Sequence, residues 1–220
     1  MCELSKREIL RYAGHKGTEI SPELDALLDS CISKITSSSV PRFTYAVSEP
    51  DFLEKGIFLN GLKLTGNDIY KHLTGAKKCI ILACTLGAGF ETELSRLQAK
   101  SMTEALLFDA TGTAFIEAYA DKCEKEILLP FKREGYFSNF RYSPGYGDLP
   151  LTLQKDIINI LDTPKKIGLT VTDSDIMIPR KSITAFIGLF DNPKENQKAS
   201  CEGCSLYNEC QIRKEGKCCD

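Results

Sequence analysis

The sequence predicts an α+β protein, with a central twisted, mainly antiparallel sheet flanked by helices. Helical and strand-like patterns are mixed along the 220 residues without strict alternation. The pair Asn60-Gly61 joins two short apolar runs and is typical of a two-residue hairpin, because both turn positions need a positive φ. Alternating segments at 167–171 and 183–189 suggest a second pair of antiparallel strands. We expect a helical arm at 1–40, one main domain at 41–192, and a linker with a Cys-rich C-terminal tail at 193–220.

In the first half of the chain the arm holds two predicted helices, over residues 4–13 and 21–35. Ser21 is the expected N-cap of the second helix, since Pro22 at the first helical position needs no N–H partner. The run from Thr36 to Pro41 breaks the chain. The next predicted elements are a strand at Phe43–Val47, the hairpin at 57–64, a helix at Asn67–Leu73 and a buried strand at Lys78–Thr85.

The second half begins with the turn Leu86-Gly87-Ala88-Gly89 before a helix at 90–98. We interpret it as a tight turn and not a phosphate loop, because Thr92 stands where a third glycine is required. The longest predicted helix covers 101–127, has a small-residue middle, and is expected to end at Pro130. A further helix is predicted at Leu149–Leu161 with Asp148 as N-cap, followed by the two alternating strands, each with one face buried.

Composition excludes several classes of function. The formal net charge is −2, so nothing indicates nucleic acid or an anionic membrane as a partner. The longest apolar stretch, Cys79 to Leu86, is far too short to cross a bilayer. The N-terminus is charged and lacks the apolar core of a signal peptide, so we expect a cytoplasmic location.

Cysteines are concentrated at the C-terminal end. Of ten cysteines, five lie within the last twenty residues: Cys201, Cys204, Cys210, Cys218 and Cys219. In a reducing compartment, clustered thiolates favour a metal site over disulfides. Zinc and an iron–sulfur cluster both fit four thiolates, and the spacing does not choose between them. The alternative is a reduced tail that binds no metal.

The segment Arg141-Tyr142-Ser143-Pro144-Gly145-Tyr146-Gly147-Asp148-Leu149-Pro150, here called the Arg141 loop, is the strongest candidate binding site. Its glycines and prolines exclude a regular helix or central strand. Arg141 offers a planar fork of donors suited to a carboxylate, and Tyr146 offers a ring and a hydroxyl. The alternative is structural: Arg141 pairs with a surface acid and the glycines only turn the chain.

The Arg141 loop and the segments after it resemble the activation domain of cobalamin-dependent methionine synthase. That family shows an Arg-x-x-x-Gly-Tyr loop, a short helix, an Ile-Gly-Met-x-Leu-Thr-Glu-Ser strand and a Met-x-Pro-x-x-Ser-Val segment. The matching residues occur in the same order here: Arg141-x-x-x-Gly145-Tyr146, a helix ending near Leu161-Asp162, the run from Lys166 to Ser174, Met177-x-Pro179 and Ser182-Ile183. The stretch Ile116-Glu117-Ala118-Tyr119-Ala120-Asp121 resembles the family's Ala-Glu-Ala-Phe-Ala-Glu.

The resemblance implies binding of S-adenosylmethionine. Arg141 would then meet the ligand carboxylate, Ser143, Gly145 and Tyr146 would line the pocket, and Glu117 would face the ligand's positive end, although a solvated helix glutamate is an equal alternative there. Two departures stand out. The family's Gly-Tyr-Pro-Ala-Cys-Pro is Gly145 to Pro150 here, with Gly147 in place of the first proline, and a tyrosine of the family's facing strand is Ile187.

The resemblance implies the function of a free-standing reactivation protein for a cobalamin-dependent methyltransferase, and methionine synthase is the expected one. Cobalamin would come from a partner, a cobalamin-binding methionine synthase core or another corrinoid protein, and a reductant such as flavodoxin would supply electrons. Two alternatives stay open. One is an iron–sulfur or zinc protein that docks on a corrinoid protein for electron transfer or as an adaptor. The other is an adaptor that has kept the fold and lost the ligand.

Overall fold

A computed structural model describes residues 4–15 and 19–193 and confirms the predicted α+β class. The helices and strands are, in chain order, α1 (Lys6–Tyr12), α2 (Pro22–Ser38), β1 (Arg42–Ser48), β2 (Asp51–Leu53), β3 (Gly56–Leu59), β4 (Leu62–Leu64), α3 (Asn67–Leu73), β5 (Lys78–Thr85), α4 (Ala88–Lys100), α5 (Met102–Arg133), β6 (Phe137–Ser138), α6 (Leu153–Leu161), α7 (Thr163–Ile167), β7 (Thr170–Val171), β8 (Met177–Ile178) and β9 (Ser182–Phe190). In the described part of the chain, no helix combines the length and the apolar character needed to span a bilayer.

The strands form three sheets. The largest has the order β1-β5-β9-β6, and β2-β3-β4 and β7-β8 form the smaller two. The pairs β2–β3, β3–β4, β6–β9 and β7–β8 are antiparallel. The Asn60-Gly61 turn is confirmed, with φ of 50° and 86° at its two positions.

The described residues divide into two compact units. The first holds those up to Thr44 with Cys84–Glu126 and Thr163–Ile183, and the second holds Tyr45–Ala83, Ile127–Asp162 and those from Thr184 onwards. The domain boundaries expected at residues 40 and 192 remain a prediction.

The first unit has a continuous apolar core formed by α1, α2, α4 and α5. Phe90 of α4 stacks on Phe108 of α5 with ring centroids 5.1 Å apart. Gly112 leaves the space for this pair, since a Cβ there would press on the Phe90 ring. The small-residue middle of α5 therefore accommodates an aromatic ring of the same core.

Two of the helices begin with a side-chain cap, and the one at Ser21 confirms the prediction. The Ser21 hydroxyl accepts a hydrogen bond from the Leu24 N–H at 3.3 Å. At the start of α5, the Ser101 hydroxyl accepts from the Glu104 N–H at 3.3 Å. The Glu104 carboxylate contacts Lys34 of α2 at 2.5 Å, so it ties α5 to the N-terminal arm.

Several predictions about secondary structure are wrong. The segments 167–171 and 183–189 do not pair with each other, since β7 pairs with β8 and β9 lies in the largest sheet. Pro130 does not end α5, which continues to Arg133; its missing N–H leaves only the carbonyl of the exposed Glu126 without a helical donor, and water can satisfy that group. Ile167 belongs to α7 and not to a strand, because the backbone turns after Asp162, which has a left-handed φ of 50°. β9 is buried over nearly its whole length, because side chains on both of its faces are covered and not only those on one.

The turn between β5 and α4 is a close backbone contact, as its interpretation as a tight turn requires. Gly87 has a φ of 84°, and a Cβ on it would lie 3.1 Å from the Val40 carbonyl oxygen. A Cβ on Gly89 would overlap the Ser38 carbonyl oxygen. The glycines thus let the end of α2 pass directly over the start of α4.

Replacing Gly89 with alanine is expected to lower the free energy of unfolding by about 1–3 kcal/mol, because the new methyl forces α4 away from the α2 backbone. Urea unfolding of wild type and Gly89→Ala measures this. Ser95→Ala, on the exposed side of the same helix, is the control and is expected to change stability little. Equal stability of wild type and Gly89→Ala would mean that the two helices are not in contact.

Candidate functional site

The Arg141 loop is a compact turn of the second unit, held by its own backbone. The Gly145 N–H donates to the Leu149 carbonyl at 2.9 Å, the Tyr146 N–H to Ser143 at 3.0 Å, and the Leu149 N–H to Tyr146 at 3.0 Å. Gly145 has a φ of 94°, which favours glycine. The amide N–H groups of Gly145 and Tyr146 therefore already donate within the loop. A ligand would contact the side chains of the loop and those backbone groups that face outward.

Strand β9 anchors both ends of the loop. At the first end, Tyr142 and Phe186 exchange two backbone hydrogen bonds of 2.9 Å each. Beyond the second end, the Thr184 hydroxyl donates to the Gln154 side chain of α6 at 2.7 Å, and both groups are buried. A buried hydrogen bond of this kind is costly to break, because it leaves its partner unsatisfied.

Asp148 does not begin the helix that follows the loop, which corrects the prediction. α6 starts at Leu153, and the residues before it form turns. The Asp148 carboxylate instead accepts hydrogen bonds from the N–H groups of Asn67 at 2.6 Å and Asp68 at 3.1 Å. It caps α3, whose own N-cap, Gly66, has no side chain for this purpose.

The other end of α3 packs on the start of the loop. His72 lies with its ring centroid 4.6 Å from that of Phe140 and 4.9 Å from that of Tyr142. Its Nε2 is 3.0 Å from the Phe140 carbonyl oxygen, and the Asn139 side-chain amide donates to the His72 carbonyl at 2.8 Å. The Tyr142 ring continues this row to Tyr146 at 5.8 Å. Helix α3 is thus the support on which both halves of the loop rest.

Four of the five predicted ligand residues lie together on this loop. Arg141 and Ser143 are half-buried, whereas Gly145 and Tyr146 are exposed, with 48% of the Tyr146 surface accessible. A half-buried guanidinium retains strong charge-assisted hydrogen bonding to a carboxylate. The exposed tyrosine ring, five positions further along the loop, offers a flat apolar surface to a ligand.

Glu117 belongs to the first unit, on α5, and is half-buried. Its negative charge acts on Tyr12 of α1: burial first, and then the Glu117 carboxylate, raise the pKa of the Tyr12 hydroxyl. The Glu117 carboxylate therefore acts on Tyr12, a residue of the same unit.

Ile187, which replaces a family tyrosine, is fully buried in β9. Its side chain is part of the core of the second unit.

None of the described residues forms a group of three or more His, Cys, Asp or Glu side chains arranged to hold a metal ion. The predicted metal ligands Cys201, Cys204, Cys210, Cys218 and Cys219 lie outside the described residues. The cysteines at 31, 79, 84 and 123 are buried, and burial raises the pKa of the Cys79 thiol to about 12. These four behave as core residues.

A cavity of about 340 Å³ lies in the first unit between α4 and α5. Its apolar wall includes Leu94, Met102 and Leu106, and Asp109 and Arg180 are at its rim. Both charges are paired, Asp109 with Lys181 at 3.0 Å and Arg180 with Glu91 at 3.0 Å. None of the predicted ligand residues lines this cavity.

Comparison with known proteins decides the family. The sequence model of the family described as "Vitamin B12 dependent methionine synthase, activation domain" matches residues 69–198, which is more than half of the chain and includes the whole Arg141 loop. The chain belongs to this family. Among curated proteins, a sequence comparison finds no match.

The fold of this activation-domain family member also matches a solved structure. That structure is described as "Crystal Structure of the MetH Reactivation Domain bound to AdoHcy". The two share 15% identity with a TM-score of 0.63, and the match covers 97% of this chain and 77% of that chain. At this identity the likeness shows the shared fold.

Sequence reasoning missed the residues that support the loop, namely Gly66, Asp68 and His72. A usable sequence pattern was present: Gly66 precedes α3 where a capping side chain is usual. A helix start without its own cap needs an acceptor from elsewhere in the chain. The family match also begins at residue 69, well before Ile116, the first residue of the motifs that carry the resemblance.

Proposed function

We propose that the chain is a reactivation protein for a cobalamin-dependent methyltransferase, with methionine synthase as the expected system. In this proposal it binds S-adenosylmethionine and acts, as a separate chain in the cytoplasm, on the cobalamin-binding core of that enzyme. The observation that carries the proposal is family membership over residues 69–198. The shared fold with a domain whose structure is described as AdoHcy-bound supports the choice of ligand.

The chemistry is a reduction followed by a methyl transfer. A one-electron donor such as flavodoxin converts the partner's oxidised cob(II)alamin to the Co(I) state. The S-adenosylmethionine held by this chain would then give its methyl group to the reduced cobalt, with the methyl–sulfur bond broken and S-adenosylhomocysteine released as a neutral thioether. The methyl transfer makes the uphill reduction effectively irreversible. The contribution of this chain is to hold and orient the methyl donor.

The loop residues suit that task. Arg141 would pair with the ligand carboxylate, and Ser143, Gly145 and Tyr146 would line the pocket beside it. The exposed Tyr146 ring and the half-buried Arg141 offer the two contacts that an amino acid joined to a flat nucleoside needs.

Arg141→Ala is expected to weaken S-adenosylmethionine binding by about 1.5–3 kcal/mol, which is roughly tenfold to a hundredfold, because a charge-assisted contact with the carboxylate is lost. Isothermal titration calorimetry of wild type and variant measures this. Arg133→Ala, at the exposed end of α5 in the same unit, removes the same charge and is expected to bind as wild type does. Unchanged affinity in Arg141→Ala would remove Arg141 from the site, and no binding by wild type would refute the choice of ligand.

The Cys-rich tail supports a second candidate function, that of a zinc or iron–sulfur protein docking on a corrinoid protein. Five cysteines within twenty residues favour this reading. Protein purified without oxygen is expected to carry metal: brown colour with visible absorption indicates a cluster, and colourless protein containing zinc indicates a zinc site.

The matched control for the tail is a variant with serine at positions 201, 204, 210, 218 and 219. It keeps the four buried cysteines and is expected to lose the metal. Metal-free wild type would rule out this tail site, and metal retained by the variant would place the site elsewhere.

A further inference from the structure

We propose that Asp148 is a positioning residue that fixes the shape of the Arg141 loop by fastening it to α3. The ligand consequence of this inference rests on the proposed function, whereas the loop shape itself does not. The partners of Asp148 lie about eighty positions earlier in the chain, on Asn67 and Asp68. The contact therefore joins two distant segments and is not a local turn.

The contact provides acceptors for the first backbone N–H groups of α3, which have no acceptor within the helix. A helix leaves its first N–H groups without intrahelical acceptors. At α3 the N-cap residue is Gly66, and no side-chain cap bond exists there. The two carboxylate oxygens of Asp148 take the Asn67 and Asp68 N–H groups separately, at 2.6 and 3.1 Å. A negative charge at this helix end is also favoured by the helix dipole.

Glycines on both segments make room for this contact. Gly66 has a φ of 137°, and a Cβ on it would lie 2.6 Å from Asp148 Oδ1. Gly147 has a φ of 50°, and a Cβ on it would overlap the Asp68 carboxylate and lie 2.6 Å from the Tyr142 hydroxyl. A side chain at either glycine would therefore disturb the contact between the two segments.

The position of Asp148 explains why the fastening matters for the ligand residues. Arg141 is next to Tyr142, which β9 holds through Phe186. Gly145 and Tyr146 lie on the other side of the turn, where the internal bonds to Leu149 are adjacent to Asp148. Without the contact to α3, the second half of the loop keeps only its contacts within the loop, such as the hydrogen bond from the Tyr146 N–H to Ser143. Arg141 and the Tyr146 ring are then held less firmly in one arrangement.

The test measures the loop directly and the ligand separately. Hydrogen exchange of individual amides, followed by NMR, is compared in wild type, Asp148→Ala and Asp148→Asn. In Asp148→Ala the amides of Asn67, Asp68, Gly145 and Leu149 are expected to exchange about five- to tenfold faster, the size of effect that loss of one helix cap gives. Asp148→Asn keeps one acceptor oxygen and is expected to restore part of the protection.

Affinity for S-adenosylmethionine is measured on the same variants by calorimetry. Asp148→Ala is expected to bind about five- to tenfold more weakly, and Asp148→Asn to lie between it and wild type. Asp156→Ala, which removes an exposed carboxylate from α6 of the same unit, is the matched control and is expected to leave exchange and affinity unchanged. All measurements are made well below the unfolding temperature of each variant, so that global stability does not enter.

The outcomes separate this inference from the proposed function. Unchanged exchange in Asp148→Ala would overturn the inference, as would faster exchange with unchanged affinity in a wild type that binds. If wild type binds no S-adenosylmethionine, the proposed function fails, and the exchange of Gly145 and Leu149 alone decides whether Asp148 shapes the loop. If Asp148→Asn restores part of the protection, the acceptor oxygen at this position holds the loop, because asparagine lacks the negative charge.

Discussion

The attachment of the Arg141 loop to α3 is the constraint on which the candidate site depends. A loop of glycines and prolines has many conformations, and the entropy of fixing it must be offset by specific contacts. Here α3 supplies them at both ends, through Asp148 at its first residues and through His72 beside Phe140 and Tyr142. Strand β9 adds the bonds to Tyr142. The loop is thereby held on α3 and on the part of β9 from Thr184 onwards, which belong to the same compact unit.

Much of the fold and the family could be predicted because the relevant signals are local. The Asn60-Gly61 turn, the Ser21 cap and the β5 run each depend on a few neighbouring residues, and the structure confirms all three. The resemblance depended on the order of several short motifs, and the family match confirms it. Four of the predicted ligand residues, Arg141 to Tyr146, are close together simply because they are close in sequence.

The remaining features depend on distant residues and could not be predicted in the same way. Asp148 has the local pattern of a helix N-cap, but its carboxylate caps a helix about eighty positions earlier. Pro130 has the pattern of a helix end, but the carbonyl it leaves unpaired is at an exposed position, so the helix continues. β9 alternates in sequence like a half-exposed strand, yet the fold covers both of its faces. In each case the environment decides, and the environment is not local in the sequence.

The central claim is that this chain supports methylation of a partner's oxidised cobalamin, and a reconstituted reaction tests it most directly. The partner is a cobalamin-binding methionine synthase core without its own activation domain, held in the Co(II) state with a one-electron reductant and S-adenosylmethionine. With this chain present, the Co(II) absorption is expected to disappear with formation of methylcobalamin and one S-adenosylhomocysteine per cobalt. Without the chain, or with Arg141→Ala at low ligand concentration, conversion is expected to be much slower. Equal rates with and without the chain would contradict the account.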